Sequence, residues 1–249
     1  PPLGASSGPA ADAFACSPPL PVIEPSELPF DATKRRSVII ISVDALRADV
    51  LDMRSNDRAL TPELSRFAQN AVSFVNATTT YPATLFAVGS AFTGLSPAEL
   101  YLSPALPETV FTRSRGRVDR QIVVLPDVSW FRLPIVSELL ARGVDLSFAQ
   151  NDASASQTLI EELRSARRDG KSVMAWVHYY APHDPYQTHE GFSFGRGKRN
   201  AYLSEVAYFD HQLGTLVRYL ERDGWLDDSL VVFFSDHGDF AGDYGLVEK

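Results

Sequence analysis

The sequence predicts an α/β protein with three layers, in which helices cover both faces of a central, mainly parallel β-sheet (α/β/α). One observation behind this prediction is a set of short, uninterrupted apolar runs, rich in β-branched residues, which suit strands buried on both faces. Another is that segments with helical spacing of apolar residues lie between these runs. Such alternation is typical of a parallel sheet that is covered by helices on both sides.

Three apolar runs are the clearest strand predictions, and a fourth is weaker. The first is Ser37–Val43, which contains three consecutive isoleucines. Residues 172–179 and 229–235 resemble it in length and in apolar character, and residues 121–125 form the weaker candidate. Runs of this length favour strands over helices, which need more residues.

The helix predictions depend on capping residues and on glycines that stop a helical pattern. Thr61 and Pro62 suit an N-cap and a first helical position, so we expect a helix to begin there. Glycines end several of the other patterns, as is common at helix C-termini. The remaining predicted helices span residues 84–93, 134–142, 156–169 and about 199–223.

The composition limits the classes of partner. The 249 residues carry a net charge of −8, which disfavours general binding of nucleic acid or of anionic membranes. If such a chain acts on an anionic ester, a local positive centre such as a bound cation must offset the overall charge. Cys16 is the single cysteine, so an internal disulfide is excluded, and no apolar run is long enough to span a membrane.

Two regions differ in composition. Residues 1–36 are rich in Pro, Ala and Ser and lack apolar periodicity, so we expect a linker or an arm. Residues 37–249 contain all of the predicted strands and helices. We therefore expect one folded domain in this second region.

Acidic and imidazole side chains follow three of the predicted strands. Asp44 comes after the first, His183 after the 172–179 run, and Asp236 and His237 after the last. In parallel sheets, ligands bind beyond the carboxyl ends of the strands, where these residues are expected to meet. Asp44, Asp236 and His237 form a mixed oxygen and nitrogen ligand set of the kind that binds zinc or manganese.

A hydroxyl group at the start of the 84–93 helix is a candidate nucleophile. Thr84 would lie among free backbone N–H groups at the positive end of the helix dipole, and a metal ion there would lower its pKa. The alternative interpretation is that Thr84 only caps the helix. Thr80 and Thr78 are rivals by composition.

Several motifs, in order, resemble the sulfatase family of the alkaline phosphatase superfamily. Residues 39–49 resemble the opening motif, and residues 176–186, which contain His183, resemble the middle histidine motif. The further matches are residues 61–74, 208–214 and 231–238. The resemblance covers roughly residues 37–249 and implies the N-terminal major part of a catalytic domain, with a C-terminal part beyond Lys249. It also implies an α/β/α fold, a metal at the strand ends and a covalent enzyme–ester intermediate.

The nucleophile pattern is closest to relatives that use threonine. The Cys/Ser-x-Pro-x-Arg motif that sulfatases convert to formylglycine is absent, whereas phosphoethanolamine transferases and lipoteichoic-acid-type synthases use Thr. Counting back ten residues from Gly94 selects Thr84, as in those relatives, whereas matching the Cys-x-Pro pattern selects Thr80. Ala45 replaces the second Asp of calcium-type sulfatases, so Zn²⁺ is the expected metal, with Mn²⁺ and Ca²⁺ as alternatives.

The resemblance also implies which residues bind the metal and the ester. Asp44, Thr84, Asp236 and His237 are the expected metal ligands. His183 and Lys249 are expected to contact the ester oxygens. His178 either lines the same site or fills the end of its strand.

The expected function is hydrolysis or transfer of a phosphate or sulfate ester of a lipid, glycan or small molecule. The alternatives are an atypical sulfatase and a family member that binds a ligand without catalysis. Nucleic acid is not an expected partner. The relatives imply a periplasmic or extracellular location, with membrane anchoring through segments outside this chain.

Overall fold

A five-stranded parallel sheet forms the centre of the molecule. In the computed structural model, which describes residues 36–51 and 53–245, the strand order is β5-β4-β6-β1-β7. β1 pairs with β6 on one side and with β7 on the other, and every pairing in this sheet is parallel. The strands are β1 (Ser37–Val43), β4 (Arg120–Pro126), β5 (Asp145–Ala149), β6 (Val173–Tyr179) and β7 (Ser229–Ser235), and a separate hairpin contains β2 (Arg54–Ser55) and β3 (Arg58–Ala59).

Helices cover the two faces of the sheet. The helices are α1 (Pro62–Ala68), α2 (Thr84–Thr93), α3 (Pro97–Leu102), α4 (Val110–Ser114), α5 (Pro134–Leu140), α6 (Asp152–Arg168), α7 (Lys198–Arg222) and α8 (Trp225–Asp228). The side chains of β1 alternate between the two faces: Ile39 and Ile41 pack in the core on the side of α6 and α7, whereas Ile40 packs with α2, α4 and α5. Each fully buried side chain of this kind contributes about 1.5–3 kcal/mol. The predicted α/β/α fold is confirmed.

Some elements differ from the sequence predictions. β5 was not predicted, because it is a partly exposed edge strand without a continuous apolar run. Helix α6 begins at Asp152 rather than at residue 156, since the Asn151 side chain caps it by accepting a hydrogen bond from Ser154 N (2.9 Å). Helices α3 and α4 occupy the stretch between Gly94 and β4, for which the sequence offered no interpretation.

Helix α1 is capped from a distant part of the chain. Thr61 occupies the expected N-cap position, but its side chain makes no capping hydrogen bond. Instead, Asp210 of α7 accepts hydrogen bonds from the backbone N–H groups of Glu63 (3.0 Å) and Leu64 (2.8 Å). The cap therefore also fixes α1 against α7.

The predicted linker lies almost entirely outside the described residues, as does Lys249. Within the described part of the chain, none of the helices combines the length and the apolar character that a membrane span requires.

Candidate active site

The carboxyl ends of β1 and β7 place two carboxylates side by side. Val43 and Ser235 are paired in the parallel register, so Asp44 and Asp236 follow at the same level. Asp236 N donates to Val43 O (3.2 Å), and Asp44 N donates to Tyr179 O (2.9 Å), which extends the sheet hydrogen bonding into both turns. The parallel register of β1 and β7 therefore explains why residues from separate strands meet at one edge of the sheet, as the sequence predicts.

Thr84 lies at this edge as the first residue of α2. Its neighbour Ala83 occupies the N-cap position, so the Thr84 hydroxyl does not cap the helix. Instead, Thr84 Oγ1 donates to Asp44 Oδ2 (3.2 Å) and lies 3.3 Å from His237 Nε2. The side chain is 3% exposed. Thr80, the rival nucleophile, is exposed and lines a cavity of about 570 Å³ beside Asp236.

His237 presents its Nε2 atom to both carboxylates. Its Nδ1 atom lies 2.7 Å from Gly238 O, and a carbonyl can only accept, so Nδ1 carries the proton in the neutral ring. The Nε2 atom then directs a lone pair toward Asp44 Oδ1 (3.3 Å) and Asp236 Oδ2 (3.6 Å). This arrangement is favourable only with a cation or a proton between the groups, and it is the tautomer that metal-binding histidines adopt.

Asp236 is held by backbone donors through one oxygen only. Asp236 Oδ1 accepts from His237 N (2.7 Å) and from Ala45 N (3.2 Å). Ala45 has a left-handed backbone conformation (φ 59°), which is uncommon for a residue with a side chain and is found often at functional sites. This turn aims the Ala45 N–H at Asp236 and leaves the second carboxylate oxygen free to face His237.

Three buried polar atoms at this edge lack a hydrogen-bond partner among the described residues. They are Asp44 Oδ1, Asp236 Oδ2 and His178 Nε2. Each such atom costs about 1–3 kcal/mol when it stays unsatisfied. One donor atom from each of these three residues lies within 4.8 Å of the others. A divalent cation would satisfy all three together, so the residues present fit a metal site.

The separations between donor atoms agree with a zinc-sized ion. Zinc–ligand bonds of about 2.0–2.1 Å place neighbouring tetrahedral ligands roughly 3.3–3.5 Å apart. Thr84 Oγ1 lies 3.2 Å from Asp44 Oδ2 and 3.3 Å from His237 Nε2. The other oxygen of this carboxylate, Asp44 Oδ1, lies 3.3 Å from His237 Nε2. The donor set combines carboxylate, hydroxyl and imidazole, which suits zinc or manganese.

The two carboxyls have opposite pKa shifts. Burial acts to raise the pKa of Asp44, but the imidazoles of His178, His183 and His237 outweigh it and hold the pKa below its usual value. Burial raises the pKa of Asp236, and the negative charge of Asp44 raises it further. The pair therefore concentrates negative charge on Asp44, which is the partner of the Thr84 hydroxyl.

His183 lies in the loop that follows β6 and is partly buried. Its ring stacks on Tyr180 (centroids 4.7 Å apart, 16° between planes), and Tyr180 Oη lies 3.0 Å from His183 Nδ1. Asp152 holds the start of this loop, accepting from Tyr180 N (2.8 Å) and Ala181 N (3.2 Å). His183 is one of the three imidazoles that lower the pKa of Asp44.

Arg47 connects the loops that carry the acidic residues. It pairs with Asp49 (2.6 Å) and with Asp243 (2.7 Å), and it donates to Asp239 O (3.0 Å). The loop after β1 is thereby joined to the loop after β7. Sequence reasoning missed Asp243, because its link to Arg47 depends on tertiary contacts.

His178 is completely buried at the floor of the site. His178 Nδ1 lies 2.8 Å from Ser42 Oγ, which also accepts a hydrogen bond from Trp176 Nε1 (2.7 Å). His178 Nε2 lies 3.8 Å from Asp44 Oδ2. Of its two predicted roles, lining the site fits this position. Ser42 and Trp176 were missed, although a serine within an isoleucine-rich strand was a usable signal.

Comparisons with known proteins identify the family of this chain. Residues 36–125 and 129–247 match the family described as Sulfatase. A choline-sulfatase of Rhizobium meliloti is 45% identical over 54 residues, which cover 22% of this chain and 10% of that protein. An N-acetylglucosamine-6-O-sulfatase of Bacteroides thetaiotaomicron is 30% identical over 96 residues, covering 39% of this chain and 14% of that protein.

Solved structures show the same fold at low sequence identity. The lipoteichoic acid synthase LtaP of Listeria monocytogenes superposes with a TM-score of 0.68 at 20% identity, covering 83% of this chain and 57% of that one. The periplasmic domain of EptC from Escherichia coli gives a TM-score of 0.66 at 16% identity, covering 86% and 67%. The chain thus spans little more than half of the LtaP chain and a tenth of the choline-sulfatase.

Proposed function

The chain belongs to the sulfatase family, and on this basis we propose that it cleaves or transfers phosphate or sulfate esters through a metal-dependent covalent intermediate on Thr84. The observation that carries the proposal is the position of the Thr84 hydroxyl. This buried group contacts Asp44 and His237 at the point where three unsatisfied donor atoms meet. The proposal includes both hydrolases, which use water as acceptor, and transferases, which use an alcohol.

The proposed metal ligands are Asp44, Thr84, Asp236 and His237, with Zn²⁺ as the metal and Mn²⁺ or Ca²⁺ as alternatives. When bound, such an ion supplies positive charge for a non-bridging ester oxygen and lowers the pKa of a coordinated hydroxyl. The Gly238 carbonyl holds the neutral His237 in the tautomer that exposes Nε2. The Ala45 and His237 N–H groups orient Asp236.

The group transfer begins with attack by Thr84 Oγ1 on the phosphorus or sulfur atom. As this bond forms, the bond between that atom and the leaving oxygen breaks. The Thr84 proton, which is directed at Asp44 Oδ2 in the resting site, passes to the departing alkoxide, so the alcohol leaves neutral. Water or a second alcohol then attacks the same atom, and the Thr84 hydroxyl is regenerated with a proton from the acceptor.

Positive charge around the ester oxygens is the main requirement of this reaction. We propose that His183 and Lys249 contact these oxygens. The net charge of −8 makes local compensation necessary. Phosphorus esters are favoured over sulfate esters, because the sequence has Thr instead of a formylglycine precursor.

The substrate is proposed to be an anionic ester of a lipid, a glycan or a small molecule. The names of the relatives include choline-sulfatase, N-acetylglucosamine-6-O-sulfatase and lipoteichoic acid synthase, which represent these three substrate types. The EptC neighbour is described as a periplasmic domain. We propose a periplasmic or extracellular location on this basis, with membrane anchoring through other segments.

The proposal is tested by comparing wild type with Thr84→Ala and Thr84→Ser in the full-length protein. Aryl phosphomonoesters, phosphodiesters and sulfates form the substrate panel, and elemental analysis measures bound metal. Thr84→Ala is expected to reduce turnover by at least about 10³-fold, because the nucleophile is lost, whereas Thr84→Ser should retain part of it. Thr80→Ala is the matched control and should keep wild-type activity.

The outcomes separate the alternative functions. Preferred turnover of sulfates would identify an atypical sulfatase. Metal binding without turnover of any ester would support a non-catalytic ligand-binding protein. Full activity in a folded Thr84→Ala variant would contradict the assignment of Thr84, and loss in Thr80→Ala would transfer the role to Thr80. Intact mass spectrometry of trapped enzyme should show one phosphoryl or sulfuryl group on wild type and none on Thr84→Ala.

A further inference from the structure

The hydrogen bonds of His178 place its Nε2 atom among the metal-binding groups. Ser42 and His178 are paired in the parallel register of β1 and β6, so their side chains emerge on the same face of the sheet. His178 Nδ1 contacts Ser42 Oγ (2.8 Å), and the opposite ring nitrogen faces Asp44 Oδ2 (3.8 Å). The ring is completely buried, which limits its reach to groups inside the site.

The proton on the His178 ring can occupy either nitrogen, and which one depends on whether Ser42 accepts or donates the hydrogen bond to Nδ1. The Trp176 indole can only donate, and it donates to Ser42 Oγ (2.7 Å). If Ser42 also accepts from His178 Nδ1–H, both lone pairs of its oxygen are used, and His178 Nε2 carries a free lone pair. If Ser42 instead donates to Nδ1, His178 Nε2–H is a buried donor, and 3.8 Å to Asp44 is too long for a hydrogen bond.

Among the described residues, Nε2 lacks a hydrogen-bond partner in either tautomer, and a cation would satisfy only the tautomer in which Nε2 carries a lone pair. A lone pair that faces the Asp44 and Asp236 carboxylates is repelled by them unless a positive ion lies between. Nε2 belongs to the set of three unsatisfied donor atoms. Ligating histidines usually donate their other N–H to a fixed acceptor, and Ser42 Oγ is in position to accept from His178 Nδ1–H.

We propose that His178 Nε2 is an additional donor to the metal of the Thr84 site, with Ser42 and Trp176 as positioning residues that set its tautomer. This inference rests on the metal dependence proposed above. The donor set then contains two imidazoles, from His178 and His237, together with carboxylate and hydroxyl oxygens. Two nitrogen ligands disfavour Ca²⁺ and Mg²⁺, which prefer oxygen alone, and favour Zn²⁺, Co²⁺ or Mn²⁺.

A direct test counts the imidazole ligands in the wild-type protein. X-ray absorption spectroscopy of the zinc-loaded full-length protein should fit two imidazoles per zinc ion. A fit with a single imidazole would overturn the inference. This measurement needs no variant, so it decides the matter even if substitutions at a buried position prevent folding.

Variants test the positioning residues through metal affinity. His178→Gln should weaken zinc binding by more than about 10-fold in competition with a chelator, and Ser42→Ala should weaken it by roughly 10- to 100-fold. Trp176→Phe keeps the packing of the ring but removes the N–H, so a smaller loss of affinity is expected. His211→Gln, an exposed histidine on α7, is the matched control and should bind zinc as wild type does.

The outcomes distinguish this inference from the proposed function. If wild type binds zinc with one imidazole and His178→Gln keeps full affinity, the role of His178 is wrong while the Thr84 mechanism stands. If wild type binds no divalent metal at all, both proposals fail. Tighter binding of Ca²⁺ than of Zn²⁺ would also contradict the two-imidazole donor set.

Discussion

At the scale of single residues, we expect the acidic pair at the ends of β1 and β7 to reduce the stability of the protein when no cation is bound. Asp44 and Asp236 are both buried, and one oxygen of each has no hydrogen-bond partner among the described residues. The Asp44 charge raises the pKa of Asp236, which shows that the two carboxyls repel each other when both are ionised. Residues arranged for binding are often unfavourable for folding in this way.

Asp236→Asn should therefore separate stability from metal binding. In this variant the side-chain amide oxygen can still accept from His237 N and Ala45 N, whereas the negative charge of the carboxylate is removed. We expect the free energy of unfolding without metal to rise by about 1–3 kcal/mol, since an unsatisfied buried charge is eliminated. Zinc affinity should fall by more than about 10-fold. Denaturant unfolding in chelator and zinc titration measure the two effects.

An exposed aspartate provides the control for this substitution. Asp127 pairs with Arg132 on the molecular surface, and Asp127→Asn should leave the free energy of unfolding close to that of wild type. If Asp236→Asn destabilised the metal-free protein, the proposed repulsion at the site would be wrong.

At the scale of elements, two buried carboxyls on neighbouring helices hold the loop that carries His183. Asp152 at the start of α6 accepts from the backbone at the beginning of the loop. Glu205 of α7 accepts from Gln187 N farther along and lies 2.8 Å from His189 Nε2. His189 is half-buried, and its ring stacks on Tyr208 of α7 (centroids 3.7 Å apart).

The protonation of Glu205 should make stability depend on pH. Burial raises the pKa of Glu205 from 4.5 to about 8, and burial lowers the pKa of His189. At Glu205 the folded protein thus binds more protons than the unfolded chain between pH 4.5 and about 8, so this contribution to the free energy of unfolding falls as pH rises. The lowered pKa of His189 acts in the opposite direction, but only below about pH 6.5. From about pH 6 to pH 8 the expected decrease is roughly 2 kcal/mol. Denaturant unfolding at several pH values measures it.

Glu205→Gln isolates this contribution. The amide can still accept from Gln187 N and can donate to His189 Nε2, but it does not titrate. Burial also raises the pKa of Asp152 and of Asp210, each to about 6. Their effect on the free energy of unfolding therefore lies mainly at lower pH, and it is the same in wild type and in Glu205→Gln. A decrease in the variant as steep as in wild type would show that Glu205 is not the group responsible.

At the scale of the whole molecule, the sequence predicted the elements whose signals are local. The isoleucine run of β1 and the order of strands and helices were sufficient for the α/β/α fold. The same patterns predicted that Asp44 and Asp236 lie at one edge of the sheet, because the ends of parallel strands are aligned by their register. The position of Thr84 at the start of α2 followed in the same way.

What the sequence could not provide are interactions that depend on tertiary contacts. Asp210 caps α1 from α7, and Ser42 receives the indole N–H from a neighbouring strand. Both bonds join residues more than a hundred positions apart, where no local pattern exists. The role of His178 was open for the same reason, since its partner on β1 is known only from the sheet register.

Metal binding should stabilise the whole domain, because the proposed donor groups lie at the ends of three strands and at the start of α2. A ligand that binds only the folded state adds about 2.7 kcal/mol when its concentration is 100 times Kd. For a protein of this size we expect the midpoint of thermal unfolding to rise by roughly 5–10 °C with zinc. The shift should grow with zinc concentration and disappear in excess chelator, as followed by scanning calorimetry.

Stabilisation by zinc is specific to this site only if it depends on the proposed metal ligands. Asp44→Asn removes the carboxylate that contacts Thr84, His178 and His237, so zinc should shift its unfolding midpoint little. The exposed control Asp127→Asn should respond as wild type does. An equal zinc shift in wild type and in Asp44→Asn would place the metal elsewhere and would contradict the site. Because the net charge of −8 attracts cations everywhere, the comparison is made at about 0.15 M salt, where weak surface binding is screened.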